Sequence, residues 1–228
     1  MRVRVPDPAY TASRRAGRNF LLALRAIAGL VFVMWALFGF DQFTGLQLIR
    51  YGLVPREPLG LVGVVTTPLL HYNLAHIASN TLPLLVGGTM MLFLYPNSSI
   101  RALPAIWVGS ALLSWLFARD SIHIGASGLV YGVLAFVFVS GVIRRDLRSI
   151  GAALLVWFLY GSMIWGVLPV GRGMSWELHA TGLAVGAFAA WRFRDWDHPP
   201  MKRYDWEDEE LPEDAEEQPW RRAPERWH

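Results

Sequence analysis

The sequence predicts an all-α membrane protein, built as a bundle of six transmembrane helices. Three observations lead to this fold class: long apolar stretches, a charged content of 17% in a chain that is 54% hydrophobic, and charges that gather at the two ends and in short loops. The hydrocarbon core of a bilayer is about 30 Å thick, so roughly 20 helical residues cross it. Several stretches of this chain are long enough.

The first span is expected at residues 20–40, after an Arg-rich lead that does not resemble a secretory signal peptide. A mixed loop follows from Asp41 to about Thr66, and we expect it to lie partly in the membrane interface. Residues 96–99 (Pro-Asn-Ser-Ser) are expected to form a turn between the second and third spans. The other five spans are expected at residues 68–95, 104–118, 127–143, 150–169 and 176–193.

Arginines sort to one side of the predicted bundle. That side carries Arg2, Arg4, Arg14, Arg15, Arg18, Arg101, Arg144, Arg145, Arg148, Arg192 and Arg194. The opposite loops carry only Arg50, Arg56, Arg119 and Arg172. Because cytoplasmic loops are enriched in basic residues, both termini are expected in the cytoplasm. We therefore expect a basic cytoplasmic segment at 1–18, a six-helix domain at 19–194, and a charged, largely disordered cytoplasmic tail at 195–228.

Composition also excludes several classes of function. The chain has no cysteine, so disulfides, thiolate catalysis and cysteine-based metal sites are ruled out. The high pI reflects arginines at membrane edges, and no basic stripe with interleaved aromatic residues suggests nucleic-acid binding. We expect a multi-pass protein of the cell membrane, which in a bacterium is the inner membrane, with the lipid bilayer as its surroundings.

Polar side chains from three separate spans are expected at one depth of the membrane. With both termini inside, the second, fourth and sixth spans run from the outer to the inner face. His76 and Asn80 then lie in the first half of the second span, Ser127 opens the fourth, and His179 comes early in the sixth. Polar groups inside a membrane indicate a functional site. The sequence therefore places one just below the outer surface.

Ser127 is the candidate nucleophile. It follows Gly125 and precedes Gly128, and flanking glycines allow close backbone approach while the start of a helix offers free N–H groups. Such donors would suit a developing oxyanion. The alternative is that Ser127 is an ordinary N-cap, with glycines that serve helix packing.

His179 is the candidate base, because a serine hydroxyl becomes nucleophilic when a neighbouring imidazole accepts its proton. The alternative for a single intramembrane histidine is a hydrogen bond that joins helices. Tyr131 lies one turn below Ser127 and could stack on the imidazole and orient it, or could serve packing alone.

Glycines on the fourth and sixth spans favour the catalytic interpretation. Gly182 and Gly186 share a helix face with His179, and Gly128 and Gly132 form a matching pair on the fourth span. Small residues four apart let helix backbones approach closely. Such an approach would bring the serine and the histidine together.

His76 and Asn80 point the same way from the second span because they are four residues apart. Their N–H groups could stabilise the oxyanion of a tetrahedral intermediate. The alternative is a polar pair that holds helices together. A zinc site is a rival hypothesis, with the candidate ligands His71, His76, His123 and His179. It is disfavoured because His71 and His76 would diverge on one helix, so no metal or other cofactor is expected.

Together these residues resemble the rhomboid family of intramembrane serine proteases over residues 20–193. The family pattern is matched by His71, His76 and Asn80, then Gly125, Ser127 and Gly128, then His179, Gly182 and Gly186. The resemblance implies a Ser127–His179 dyad without a carboxylate, an oxyanion hole from His76, Asn80 and backbone N–H groups, and Tyr131 stacked on the base. It also implies substrates that are single-span membrane proteins, cut near the outer membrane face.

One family feature is missing, since the first loop lacks the Trp-Arg pair common in prokaryotic members.

Two other classes of function compete with the protease. A catalytically silent relative would bind transmembrane clients, but such relatives usually lack the serine or the histidine. A transporter would spread polar groups through the whole bilayer depth and could show an inverted repeat, whereas these groups are confined to the outer half.

Overall fold

The computed structural model describes residues 14–169 and 174–198, and helices dominate this part of the chain. The six long helices are α1 Arg14–Thr44, α2 Leu74–Leu94, α3 Pro96–Phe117, α4 Ser127–Arg144, α5 Leu147–Tyr160 and α6 Trp176–Arg192. Five segments are long and apolar enough to cross a membrane: Arg15–Thr44, Leu74–Leu94, Pro96–Phe117, Ser127–Arg144 and Leu147–Val167. The prediction of an all-helical membrane protein is confirmed. α6 is shorter, with 17 residues.

Helix α4 forms the centre of the bundle and contacts α2, α3, α5 and α6. Its side chains Leu129, Val133 and Phe136 are almost fully buried. A helix that is apolar on all sides is stable only when other helices surround it or lipid covers it, and here neighbouring helices do so. Ser127, the first residue of α4, is therefore carried into the interior of the protein.

Helices α4 and α6 pack against each other through paired glycines. A Cβ atom added to Gly182 would overlap the carbonyl oxygen of Gly128, and one added to Gly186 would overlap that of Gly132. The backbones therefore approach more closely than any larger side chain would allow. The close approach expected from these four glycines is present.

The second span begins later than predicted. Residues 67–69 form a 3-10 turn, and α2 starts only at Leu74. The reason is Asn73, the N-cap, whose side chain accepts a hydrogen bond from the His76 N–H at 2.9 Å. His71 thus precedes the helix, so the prediction that His71 and His76 diverge along one helix was wrong.

The third span begins earlier than predicted, because residues 96–99 form the first turn of α3 instead of a connecting turn. Pro96 is tolerated there, since the first residue of a helix has no internal partner for its N–H. The carboxylate of Asp197 accepts hydrogen bonds from the N–H groups of Asn97 and Ser98, at 2.9 and 2.8 Å. A residue beyond α6 thereby caps the start of α3.

The other helix boundaries differ less from the predicted ones. α1 extends the first predicted span at both ends, so the proposed segment 1–18 is already helical from Arg14. α5 is followed by a 3-10 turn over Gly161–Val167, which was expected to be α-helical. The proposed tail was predicted to be disordered from residue 195, and its residues 199–228 lie outside the described part of the chain, as do residues 1–13 and 170–173.

Candidate active site

A cavity of about 520 Å³ lies at the heads of α2, α4 and α6. Its walls include the five predicted site residues that carry polar side chains: His76, Asn80, Ser127, Tyr131 and His179. Residues that are about a hundred positions apart in the sequence therefore line the same cavity. The fold brings together the constellation expected from membrane depth.

Ser127 is the first residue of α4, and Ala126 occupies the N-cap position without a side-chain bond. Only 8% of Ser127 is exposed, and its hydroxyl bonds to no residue that the structure describes. The alternative interpretation of Ser127 as an ordinary N-cap is therefore wrong. Its backbone N–H also has no acceptor within the described residues, because the first turn of a helix leaves its N–H groups unpaired.

His179 is held by the turn that follows α5. Its Nδ1 lies 2.8 Å from the carbonyl oxygen of Gly166. A carbonyl oxygen can only accept, so Nδ1 carries the hydrogen and, in the neutral ring, Nε2 keeps its lone pair. No hydrogen bond joins Nε2 to Ser127 in this structure, although both side chains line the same cavity. The histidine is thus in the tautomer that a general base needs.

Tyr131 stacks on His179, with ring centroids 4.2 Å apart and planes inclined by 7°. The Tyr131 hydroxyl donates to the carbonyl oxygen of Met163 at 2.7 Å. Met163 and Gly166 both belong to the 3-10 turn Gly161–Val167. One short turn therefore fixes the tyrosine and the histidine together, and a Cβ atom on Gly166 would overlap the Tyr131 hydroxyl.

Gly125, in the loop before Ser127, lies against His76. Gly125 has a φ of +110°, a conformation that favours glycine, and a Cβ atom there would overlap the His76 imidazole. The His76 side chain makes no hydrogen bond to any described residue. Its ring N–H is therefore available to a ligand beside the loop that leads to Ser127.

Asn80 is oriented differently from expectation. Its Nδ2 donates to the carbonyl oxygen of His76 at 3.0 Å and lies 3.3 Å from Nε2 of His71. Both amide hydrogens therefore have acceptors within the protein, although Asn80 lines the cavity. Sequence spacing placed His76 and Asn80 on one helix face, but it did not reveal these internal partners.

His71 supports the loop before Ser127. Its Nε2 accepts a hydrogen bond from the Ala126 N–H at 3.4 Å. Burial and the neighbouring His76 lower the pKa of His71 to about 4, so the ring is neutral near pH 7 and can act as an acceptor. His71 therefore supports the serine loop, residues 118–126 between α3 and α4. This role was not expected from its place in the family motif or from its suitability as a metal ligand.

The four histidines do not form a metal site in the described part of the chain. There, no group of three or more His, Asp or Glu side chains is arranged to hold an ion. His123 is fully buried, and its Nδ1 lies 2.9 Å from the Ser175 hydroxyl while its Nε2 lies 3.1 Å from the Arg119 carbonyl oxygen. The His123 ring therefore connects the loop before α4 with the residue that precedes α6.

An ion pair fixes the start of α6. The carboxylate of Glu177 is buried and lies 3.5 Å from Nε of Arg119. Nη2 of the same guanidinium donates to the carbonyl oxygen of Met174. Met174 and Ser175 line the cavity. Arg119, in the loop before α4, thereby holds the start of α6. Its partner Glu177 lies two positions before His179.

Comparison with known proteins identifies the family of this chain. The model of the rhomboid domain matches residues 58–196, which include Ser127 and His179. An uncharacterized protein of Mycobacterium tuberculosis is 39% identical over 160 residues, 66% of this chain and 67% of that protein. One of Mycobacterium leprae is 35% identical over 161 residues, 66% of this chain and 63% of that protein.

A more distant relative has a named activity. Rhomboid protease GlpG of Haemophilus influenzae is 25% identical over 188 residues, which cover 78% of this chain and 95% of that protein. The domain match covers more than half of the chain, and several helices are suited to crossing a membrane. This chain is therefore a multi-pass membrane protein that belongs to the rhomboid family.

Proposed function

We propose that this protein is an intramembrane serine endopeptidase that uses Ser127 as nucleophile and His179 as base. The observation that carries the proposal is the state of His179. Gly166 fixes its Nδ1 hydrogen, Tyr131 fixes its plane, and its Nε2 is left for a proton from a cavity that also contains Ser127. A backbone carbonyl thus takes the orienting place that a carboxylate holds in many serine proteases.

The proposed reaction has two halves. The Ser127 oxygen attacks the scissile carbonyl carbon while His179 Nε2 takes the hydroxyl proton, and the C–N bond then breaks as the imidazolium returns that proton to the leaving amine. Water next attacks the acyl-serine ester, with His179 again as base. The acid product leaves and the Ser127 hydroxyl is restored.

The proposed oxyanion hole combines three sources of hydrogen bonds. The Ser127 N–H is unpaired among the described residues, and His76 has an uncommitted ring N–H beside Gly125. Asn80 joins them after one of its amide N–H groups leaves the carbonyl oxygen of His76. Donors held in place before reaction stabilise the oxyanion without reorganisation at the moment of bond formation.

The proposed substrates are transmembrane segments of single-span proteins, cut near the outer membrane face. In this proposal α6 completes a six-span bundle with both termini in the cytoplasm of a bacterial inner membrane. Peptide carbonyls in a helix are shielded until the helix unwinds. Glycine or proline in the substrate helix lowers the free energy required, by about 1 and 3 kcal/mol relative to alanine.

The experiment that tests this function is cleavage in proteoliposomes. The purified protein is reconstituted with single-span substrates that carry a Gly-Pro pair in the outer half, the inner half or neither half of the helix. Two fragments, with the cut mapped by mass spectrometry to the outer half, are expected for the first substrate. Uncut substrates that copurify with the folded protein would instead support a client-binding role.

His76→Ala is expected to lower kcat by about 10²- to 10³-fold, the loss typical of one oxyanion donor. KM should change little, because the donor acts on charge that develops in the transition state. Steady-state cleavage of the outer-half substrate measures both constants. A parent-like kcat would remove His76 from the oxyanion hole.

A further inference from the structure

We propose that Thr67 is a positioning residue that holds the chain before Ser127 in the conformation that hydrolysis requires. Thr67 lies in the first loop, which is residues 45–73 between α1 and α2. This inference rests on the proposed function. Thr67 is 1% exposed and lies in a 3-10 turn seven residues before α2. Its side chain is not part of the cavity wall, so any effect on the reaction must pass through other residues.

The Thr67 hydroxyl joins two buried backbone segments. Oγ1 accepts a hydrogen bond from the Leu53 N–H at 3.2 Å and donates to the carbonyl oxygen of His123 at 3.2 Å. Leu53 and His123 also pair with each other through two backbone bonds of 2.9 and 2.8 Å. The hydroxyl thus sits at the junction of the first loop with the segment that leads to α4.

The Thr67 backbone continues this connection to the serine loop. Its carbonyl oxygen accepts the Gly125 N–H at 2.9 Å. Gly125 lies two residues before Ser127, and its φ of +110° is rarely adopted by other residues. The bond to Thr67 fixes the peptide of this glycine. Thr67 therefore controls both His123 and Gly125, through its side chain and its main chain.

The direction of three successive N–H groups follows from this anchoring. Gly125 donates to Thr67, Ala126 donates to Nε2 of His71, and the Ser127 N–H is left without an acceptor in the described chain. A rotated Gly125 peptide would redirect these groups and shift the hydroxyl of Ser127. Misplacement of a nucleophile by about 1 Å can reduce the rate about 100-fold.

The packing at the junction of Leu53 with His123 leaves little room to compensate. A Cβ atom on Gly52 would lie 2.9 Å from the carbonyl oxygen of His123, and one on Gly63 would overlap the backbone of Leu53. The first loop therefore meets the serine loop backbone to backbone. A hydroxyl that both donates and accepts fits this junction, whereas a methyl group in its place forms neither bond.

The test compares Thr67→Val, which keeps the shape and removes the hydroxyl, with Thr67→Ser, which keeps the hydroxyl. Thr66→Val is the matched control, because the Thr66 hydroxyl donates only to carbonyl oxygens inside the first loop, those of Tyr51 and Val62. The readouts are kcat, KM, the rate of fluorophosphonate labelling and hydrogen–deuterium exchange over residues 122–127.

We expect Thr67→Val to lower kcat and the labelling rate about tenfold or more, with KM within about twofold of the parent, because the nucleophile is misplaced and binding is kept. Thr67→Ser should restore most of the rate, and Thr66→Val should resemble the parent. Exchange over residues 122–127 should be faster in Thr67→Val alone. If Thr67→Val does not fold, Thr67→Ser and Thr67→Ala provide the same comparison.

Parent-like turnover and exchange in a folded Thr67→Val protein would overturn the inference. An equal loss in Thr66→Val would also overturn it, because general loosening of the first loop would then explain the effect. An inactive, unlabelled parent would count against the proposed function instead. In that case the exchange experiment still decides whether Thr67 holds the serine loop.

Discussion

Replacing Ser127 by alanine is expected to abolish peptide-bond hydrolysis, and replacing His179 by alanine is expected to do the same. Each change removes one half of a unit, since the serine needs a base and the base needs a nucleophile to deprotonate. Losses of about 10³-fold or more are expected, and the double variant should be no slower than either single one, because residues that act as a unit are not additive.

The measurement is initial cleavage rate in proteoliposomes, with the amount of folded protein determined for every variant. Ser79→Ala is the matched control, because Ser79 lines the same cavity and its hydroxyl bonds only the carbonyl oxygen of His76 within its own helix. It should retain turnover within about threefold of the parent, a difference of less than about 1 kcal/mol in barrier. Cleavage by folded Ser127→Ala at a rate close to that of the parent would exclude Ser127 as the nucleophile.

Adding one methyl group at Gly182 is expected to destabilise the bundle and stop activity. The new Cβ atom would overlap the Gly128 carbonyl oxygen, so α4 and α6 would have to separate. Overpacking typically costs about 1–3 kcal/mol. The better helix propensity of alanine, about 1 kcal/mol, offsets only part of this. Separation would also move His179 away from Ser127, since each lies on one of these helices.

Gly29→Ala in α1 is the control, because a Cβ atom there meets no atom within 4 Å. Both substitutions bring the same gain in helix propensity and differ only in the space available. Thermal unfolding in detergent should give a lower midpoint for Gly182→Ala and an equal or higher one for Gly29→Ala. Equal midpoints and full activity in both would contradict the close packing of α4 against α6.

Much of this arrangement could be predicted because it depends on patterns of side chains. Long apolar stretches predicted the helices, and glycines four residues apart predicted the contact between α4 and α6. The common membrane depth of His76, Ser127 and His179 predicted that they line one cavity. These inferences rest on the length of apolar stretches, on the distribution of arginines between loops and on helix periodicity, all of which a sequence displays directly.

Other features could not be predicted, because they depend on groups that no sequence pattern marks. The orienting partner of His179 is a backbone carbonyl of Gly166, and every residue has such a carbonyl. The start of α2 depends on which of several polar residues caps it, and Asn73 does so. Pro96 begins α3 because Asp197, a hundred residues later, accepts hydrogen bonds from the N–H groups of the next two residues. Such long-range partners become visible only in the folded chain.

The most direct test of the central claim is covalent labelling of the detergent-solubilised protein by a fluorophosphonate probe. The probe reacts with a serine hydroxyl only when a base activates it. The proposed dyad predicts that peptide mapping finds the label on Ser127, and that both Ser127→Ala and His179→Ala abolish labelling in folded protein. A folded parent that is not labelled, or a label on Ser127 that persists in His179→Ala, would contradict the Ser127–His179 dyad.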